Sequence, residues 1–278
     1  MRRVQGDAAH NAWLAVHGTG LVWRNMSRFF GVIMIAVVAV YALACLGLFL
    51  GQRSLIYYPP PTAAFPVPVT TSLAVPGAVL RISERPLASK SALIYLGGNA
   101  EDVTASLPAL DKAFPGHALY LMHYRGYAGS TGAPSEQALV DDAVLLFDRV
   151  AAAHPEVEVV GRSLGTGVAM QLAARRPVRK LVLVTPFDSI ADLAAQQFPV
   201  FPVRWLLKDR YESWRYAQQL RMPVLVLMAG RDEVIPAWST QRLLSRFAPG
   251  VATARVIPEA GHNTISASPA YVPALRGL

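Results

Sequence analysis

Residues Val157–Val168 read VEVVGRSLGTGV and place a serine, Ser163, between two glycines at Gly161 and Gly165. The β-branched run before it predicts a strand, and the segment after it predicts a helix over 168–175. This is the nucleophile-elbow pattern G-x-S-x-G, in which a serine sits on a tight strand-to-helix turn. Such a turn strains the serine backbone, and side chains two residues away on either side would keep strand and helix apart. The turn holds Oγ exposed at a helix N-terminus, where backbone N–H groups and the helix dipole favour negative charge.

An activated serine needs a base, and the base needs a carboxylate to orient it. In a parallel sheet such groups collect just past the C-terminal ends of strands. Asp232 follows the apolar run VLVLMAGR and meets that condition. Asp188, in LVTPFD, competes for the role, but Asp188-Ser189 before a helix has the look of an N-cap. The expectation falls on Asp232. Of the six histidines, only His262, in ARVIPEAGHN, lies C-terminal to both acids and just past a predicted strand. The order Ser163, Asp232, His262 differs from that of chymotrypsin- and subtilisin-type enzymes.

A tetrahedral intermediate needs hydrogen-bond donors for its oxyanion. The Leu164 N–H, directly after the serine, is one candidate. The loop IYLGGNAED supplies the other: Gly98 admits close backbone approach and Asn99 N–H is the expected donor. No H-x-x-x-H or C-x-x-C spacing occurs, so no metal is expected, and the chemistry requires no cofactor.

The elements that must position these groups alternate along the chain. Two short β-type runs between 69 and 83 turn at Pro76-Gly77 and predict a hairpin. Strands are then predicted over 92–96, 118–123, 157–160, 180–184, 223–228 and 253–257, with helices over 103–114, 135–153, 189–197 and 238–247. The cores ALIYL, LVLV and VLVLM are continuously apolar, as in strands buried on both faces of a parallel sheet. The alternation implies an α/β fold with helices on both faces. Phe198–Leu220 breaks the rhythm. Rich in aromatics and arginine, it reads as a small cap whose Phe198, Phe201, Trp205 and Trp214 would wall an apolar pocket, with a plain surface helix pair as the alternative.

The chain has 278 residues, is 53% hydrophobic and carries a formal charge of +8. That length and composition predict one core plus an appendage. One cysteine, Cys45, excludes an intrachain disulfide. Phe29–Leu50 holds 22 residues without a charge, where about 20 suffice to span a bilayer. Residues 1–28 carry four arginines against one acid, and the rest carries 22 basic against 17 acidic residues. The positive-inside rule then predicts a cytoplasmic N-terminus and an extracytoplasmic domain. Ala42-Leu43-Ala44-Cys45 faintly resembles a lipoprotein cleavage box, which leaves lipidation of Cys45 as the alternative. Residues 51–68 read as a Pro-rich linker, with Tyr57 and Tyr58 expected at the interfacial level. The basic residues are scattered with no basic-aromatic run, so nucleic acid is not an expected partner.

Together YLGGNAED, YRGYAGSTGAPSE, GRSLGTGVA, TPFDSI, GRDEVIP and AGHN, after a span ending in RSLIYYP, resemble the single-span, membrane-anchored branch of the α/β-hydrolase superfamily. The resemblance covers about Ser54 to the C-terminus. It implies an α/β-hydrolase domain over 69–278, with a small cap around 198–220, behind one transmembrane helix over 29–50. It also implies serine hydrolysis of an acyl bond in a small-molecule or lipid substrate. Members include esterases, lysophospholipase-like lipases, protein depalmitoylases and serine aminopeptidases. Ester or thioester cleavage is the expectation, because an anchored enzyme meets acyl chains at the bilayer. A peptidase on the same machinery and a non-catalytic binding protein of the same fold are the alternatives. The family usually carries His-Gly-Asn at the oxyanion loop, and here Gly97 replaces the histidine. Arg125 is a candidate for binding an anionic group, with a loop-fixing ion pair as its alternative.

Overall fold

The computed structural model of the protein describes residues 5–60 and 69–277. Arg2 and Arg3 of the basic segment and residues 61–68 of the expected linker lie outside the described residues, as does the side chain of Arg24. The chain divides into two compact units, one ending at Gly51 and the other beginning at Gln52.

Helix α1 runs Gln5–Ile56. Its stretch Met26–Ile56 is long and apolar enough to cross a membrane, with a mean hydropathy of 2.8 and most of its side chains exposed as far as Leu50. The helix extends beyond the charge-free run at both ends. Gln52 and Arg53 make its last turn, which belongs to the second unit. The linker expected from residue 51 therefore begins as helix, because Gln52 and Arg53 find polar partners on the second unit rather than water (below).

The second unit is built on one eight-stranded sheet in the order β1-β2-β4-β3-β5-β6-β7-β8. Strands β1 (Val69–Val75) and β2 (Ala78–Arg85) form the expected antiparallel hairpin, turning at Gly77 with φ +76°. β2 also runs antiparallel to β4, and every later pairing is parallel. In chain order the unit continues with β3 (Ser91–Leu96), α2 (Leu107–Ala113), β4 (Ala118–Met122), α3 (Glu136–Ala151) and β5 (Glu156–Arg162). It goes on with α4 (Leu164–Arg175), β6 (Lys180–Val184), α5 (Ile190–Gln197), α6 (Val203–Leu206) and α7 (Trp214–Ala217). It ends with β7 (Val224–Ala229), α8 (Ala237–Leu244), β8 (Ala252–Ile257) and α9 (Tyr271–Arg276).

Alternate residues of the parallel strands feed two cores, as the period of two requires. Ala92, Ile94 and Leu96 of β3 pack with Val157 and Val159 and with apolar residues of α3, α4 and α8. Leu93 and Tyr95 face the other way, into a core with Val160, Leu225 and apolar residues of α2 and α9. Each fully buried Leu, Ile or Val contributes about 1.5–3 kcal/mol. Sheets buried on both faces read as unbroken apolar runs for this reason, and the same feature made these strands legible. The helices carry their own signals. Ser135 and Ser189 cap α3 and α5 by accepting from Ala138 N–H and Asp192 N–H.

Candidate active site

β5 ends at Arg162 and α4 begins at Leu164, so Ser163 alone makes the turn, with φ 47° and ψ −117°. A non-glycine residue there stores roughly 1–3 kcal/mol of strain. The surroundings hold it: Ser163 N–H donates to Val184 C=O at 2.9 Å, and Ser163 C=O accepts from Thr166 N–H at 2.9 Å and Thr166 Oγ1 at 2.6 Å. A Cβ on Gly161 would lie 2.6 Å from Gly165 O, and one on Gly165 would lie 2.6 Å from Gly97 O. Both glycines are thus required by close approach, of α4 to β5 in one case and of α4 to the loop after β3 in the other.

The loop after β7 carries Asp232 and the loop after β8 carries His262. His262 Nε2 lies 2.9 Å from Ser163 Oγ, and His262 Nδ1 lies 3.0 Å from each carboxylate oxygen of Asp232. The imidazole is buried at 4% exposure. Asp232 Oδ1 also accepts from the N–H groups of Val234 and Ile235 at 3.0 and 2.7 Å. Burial pushes the Asp232 carboxyl up, but the bonds from His262 and these two amides outweigh it and hold its pKa below the ordinary value. Glu233 fixes the same loop pair by accepting from His262 N–H at 3.0 Å.

Asp188 stands elsewhere. Its Oδ2 accepts from Arg242 Nε at 2.5 Å, its N–H donates to Ser239 Oγ, and Ser189, not Asp188, caps α5. It borders a polar cavity of about 290 Å³ shared with Arg204, Arg210, Trp214 and Arg246, which none of Ser163, Asp232 or His262 lines. Trp214 turns toward this cavity and stacks near Arg215 and Arg246, while Trp205 is 89% exposed. The aromatic wall expected from these two tryptophans is therefore not formed: one meets guanidinium groups and the other faces outward. The segment does fold into short helices, α6 and α7. It is pinned by Tyr211, whose N–H donates to Glu136 Oε2 and whose ring fills the space above Gly167.

The loop Gly97-Gly98-Asn99 passes beside the serine, with a Cβ on Gly98 falling 3.5 Å from Ser163 Cβ. Neither Asn99 N–H nor Leu164 N–H has an acceptor among the described residues. Other groups of the loop are held in place. Tyr124 hydroxyl donates to Gly97 C=O at 2.9 Å, and Gly98 N–H donates to Glu101 Oε2 at 2.6 Å. Asn99 Oδ1 accepts from Tyr127 hydroxyl and from Tyr58 N–H, both at 2.9 Å. Gly97 itself leaves no room for a side chain without movement, since its Cβ would lie 2.5 Å from Val103 Cγ1.

Three residues support the site in roles that the sequence reading did not assign to them. Glu101 accepts from Tyr95 and Ser106 hydroxyls as well as Gly98 N–H, and pairs with Arg162 at 3.2 Å. Arg162 also reaches His262 C=O at 3.4 Å and so ties the histidine loop to the glycine loop. Tyr57, expected at an interfacial level, is buried instead, with its hydroxyl 2.9 Å from that of Tyr211 and 3.2 Å from Asp209 Oδ2. The acid in NAED and the arginine before the serine were the available signals. Arg125 resolves to the loop-fixing alternative, making two bonds of 2.6 and 2.7 Å to the buried Asp142.

The α/β hydrolase fold family matches residues 95–211. An uncharacterized protein of Mycobacterium tuberculosis, Rv2307c, is 33% identical over 250 residues, covering 82% of this chain and 87% of that one. The lysophosphatidylserine lipase ABHD12 of Macaca fascicularis is 32% identical over 193 residues, covering 60% of this chain and 48% of that one. Among solved structures, Est1E from Butyrivibrio proteoclasticus, with ferulic acid bound, superposes with a TM-score of 0.62 at 14% identity, covering 74% of this chain and 96% of that one. A Pyrococcus furiosus esterase superposes with a TM-score of 0.58 at 16% identity, covering 76% and 91%. At such identities the solved structures speak to the fold alone.

Proposed function

The chain belongs to the α/β-hydrolase superfamily, and from that premise we propose that it is a membrane-anchored serine hydrolase of acyl esters or thioesters. The observation that carries the proposal is the line of hydrogen bonds from Ser163 Oγ through His262 to Asp232. Ser163 Oγ attacks the acyl carbonyl carbon as its proton passes to His262 Nε2. Asp232, kept ionised by its surroundings, stabilises the imidazolium and fixes the tautomer. The carbonyl oxygen, now carrying the negative charge, takes hydrogen bonds from Leu164 and Asn99 N–H, which have no acceptor among the described residues. His262 then gives its proton to the departing alcohol or thiol as the carbon–oxygen or carbon–sulfur bond breaks. A water repeats the sequence on the acyl-enzyme, losing a proton to His262 and releasing the acid, and Ser163 recovers its hydrogen.

Single-chain lipids are the favoured substrates. The relative ABHD12 bears the name of a lysophosphatidylserine lipase, and a short insertion such as α6–α7 has too few residues to enclose three long chains. Anchoring is proposed through Met26–Ile56, with the N-terminus cytoplasmic and the hydrolase domain, with its cap around 198–220, outside.

Fluorophosphonate labelling and hydrolysis of matched esters, thioesters and amino-acid amides test the chemistry. Wild type is expected to label and to cleave esters or thioesters with kcat/KM rising over the first few acyl carbons. Ser163→Ala is expected to do neither while staying folded. Full labelling of that variant would overturn the assignment, and faster cleavage of amides than of any ester would turn it into a peptidase. Protease added to spheroplasts is expected to cut the domain, and protection of the domain would reverse the topology.

A further inference from the structure

The segment between α5 and β7 exposes more apolar surface than a soluble loop has reason to. Trp205 is 89% exposed, Val200 74% and Phe198 45%. Neighbouring cations accompany them: Lys208 and Arg204 are both exposed, and Arg204 also pairs with Asp192. The two acids of this segment are both engaged, Asp209 buried and bound by Arg53 at 2.9 Å and Glu212 paired with Arg215 at 2.8 Å, so they offer little negative charge to the surface.

Chain connectivity limits how far this surface can lie from the end of the apolar run. Gln52 Nε2 donates to Leu206 C=O at 3.1 Å, and Gln52 Oε1 accepts from Lys208 N–H at 2.6 Å. Gln52 follows Leu50 by two residues, so chain reach alone keeps it within about 7 Å of the last residue of that run. The headgroup layer on each side of a bilayer is about 5–7 Å thick. With α1 across a bilayer, a backbone clamped to Gln52 would lie near the headgroup layer, and Trp205 is the residue next to the clamp.

We infer that Phe198–Lys208 is a membrane-contact surface, with Phe198, Val200 and Trp205 seated in the interfacial layer of an anionic bilayer and Arg204 and Lys208 against its headgroups. The inference rests on the proposal that α1 spans the membrane. Tryptophan favours this layer because one end of its ring system is apolar and the other donates a hydrogen bond. Basic residues gain from the negative surface potential there. The contact presses the cap segment, which Tyr211 and Glu136 tie to α3 and α4, onto the lipid surface.

The native cysteine supplies the control for the test. The full chain is reconstituted in nanodiscs of phosphatidylcholine and phosphatidylglycerol and labelled with an environment-sensitive fluorophore. The label is placed at Cys45, or on a Cys45→Ser background at Trp205→Cys or Ala153→Cys. Ala153 is exposed in the turn before β5, at the opposite end of that strand from Ser163. Lipid-borne quenchers are expected to reach the labels at 45 and 205 and not the one at 153. Quenching at 45 with a water-exposed label at 205 would overturn the surface assignment and leave the span standing. No quenching at 45 would overturn the span and the inference with it. A label at 205 that is shielded only when detergent-solubilised chains pair would give the surface to a second copy and also overturn the inference.

Discussion

Tyr58 N–H and the Tyr127 hydroxyl donate to one atom, Asn99 Oδ1, each at 2.9 Å. Tyr58 is two residues past the end of α1, so a residue just beyond that helix helps hold the loop proposed to bind the oxyanion. Asn99→Ala removes both bonds and keeps the backbone amide. Its kcat is expected to fall about ten- to a hundredfold with KM little changed, as for a small misplacement of a group that acts in the transition state. Tyr127→Phe removes one bond and is expected to fall less. A rise in KM with kcat intact would contradict this role.

The two acids are expected to separate cleanly. Asp232→Asn upsets the histidine tautomer and is expected to lower kcat about 10⁴-fold. Asp188→Asn leaves Arg242 without its buried partner, so it is expected to lower Tm, while kcat/KM per folded enzyme stays within a few-fold of wild type. Steady-state kinetics beside calorimetry reads both, and the reverse ranking would show that the acid is Asp188.

Tyr57→Phe strips the buried Tyr211 hydroxyl and Asp209 of a partner. Unmade buried hydrogen bonds cost about 1–3 kcal/mol, so the variant is expected to melt lower by several degrees. Tyr57→Phe combined with Tyr211→Phe is expected to lose less than the sum of the two single losses. Additive losses would mean that the two hydroxyls do not interact.

His123 is buried against Ser83 Oγ at 2.8 Å, and burial pushes its pKa down from 6.5 to about 4. The unfolded chain then binds a proton that the folded chain refuses between those values. Stability is expected to be full above about pH 6.5 and to decline as pH falls toward 4, by at most about 3 kcal/mol from this group. His123→Gln is expected to flatten that part of the denaturation profile. An unchanged slope would assign the loss to other groups.

The serine, the acid and the histidine were legible because each follows a strand that reads as an unbroken apolar run, and parallel topology sends such positions to one edge. The strand order was not legible: nothing in Val79–Ser83 says that β2 pairs with β4 rather than with β3, since pairing partners leave no mark on one strand's own pattern. Tyr57 and Trp205 were misread in opposite directions. A tyrosine before three prolines looked like linker and is buried, while a tryptophan in an aromatic-rich stretch looked like pocket wall and faces outward. In both cases the deciding partner, Tyr211 for one and Gln52 with its clamp on Leu206 for the other, lies about 150 residues away in sequence. The supports of the glycine loop were hidden for the same reason, since Glu101 is one residue among many acids until Tyr95, Ser106 and Arg162 converge on it.

The boundary between the two compact units falls inside one helix, between Gly51 and Gln52. A gene fusion, a shuffled exon or an engineered release site that cuts at the visible end of that helix would carry away Gln52, Arg53 and the bonds they make to Leu206, Lys208 and Asp209. Descendants that swap or shed the N-terminal segment have to break the chain one turn earlier than the secondary structure advertises, or else rebuild those contacts. Where the helix stops is a poor guide to where this lineage can be spliced.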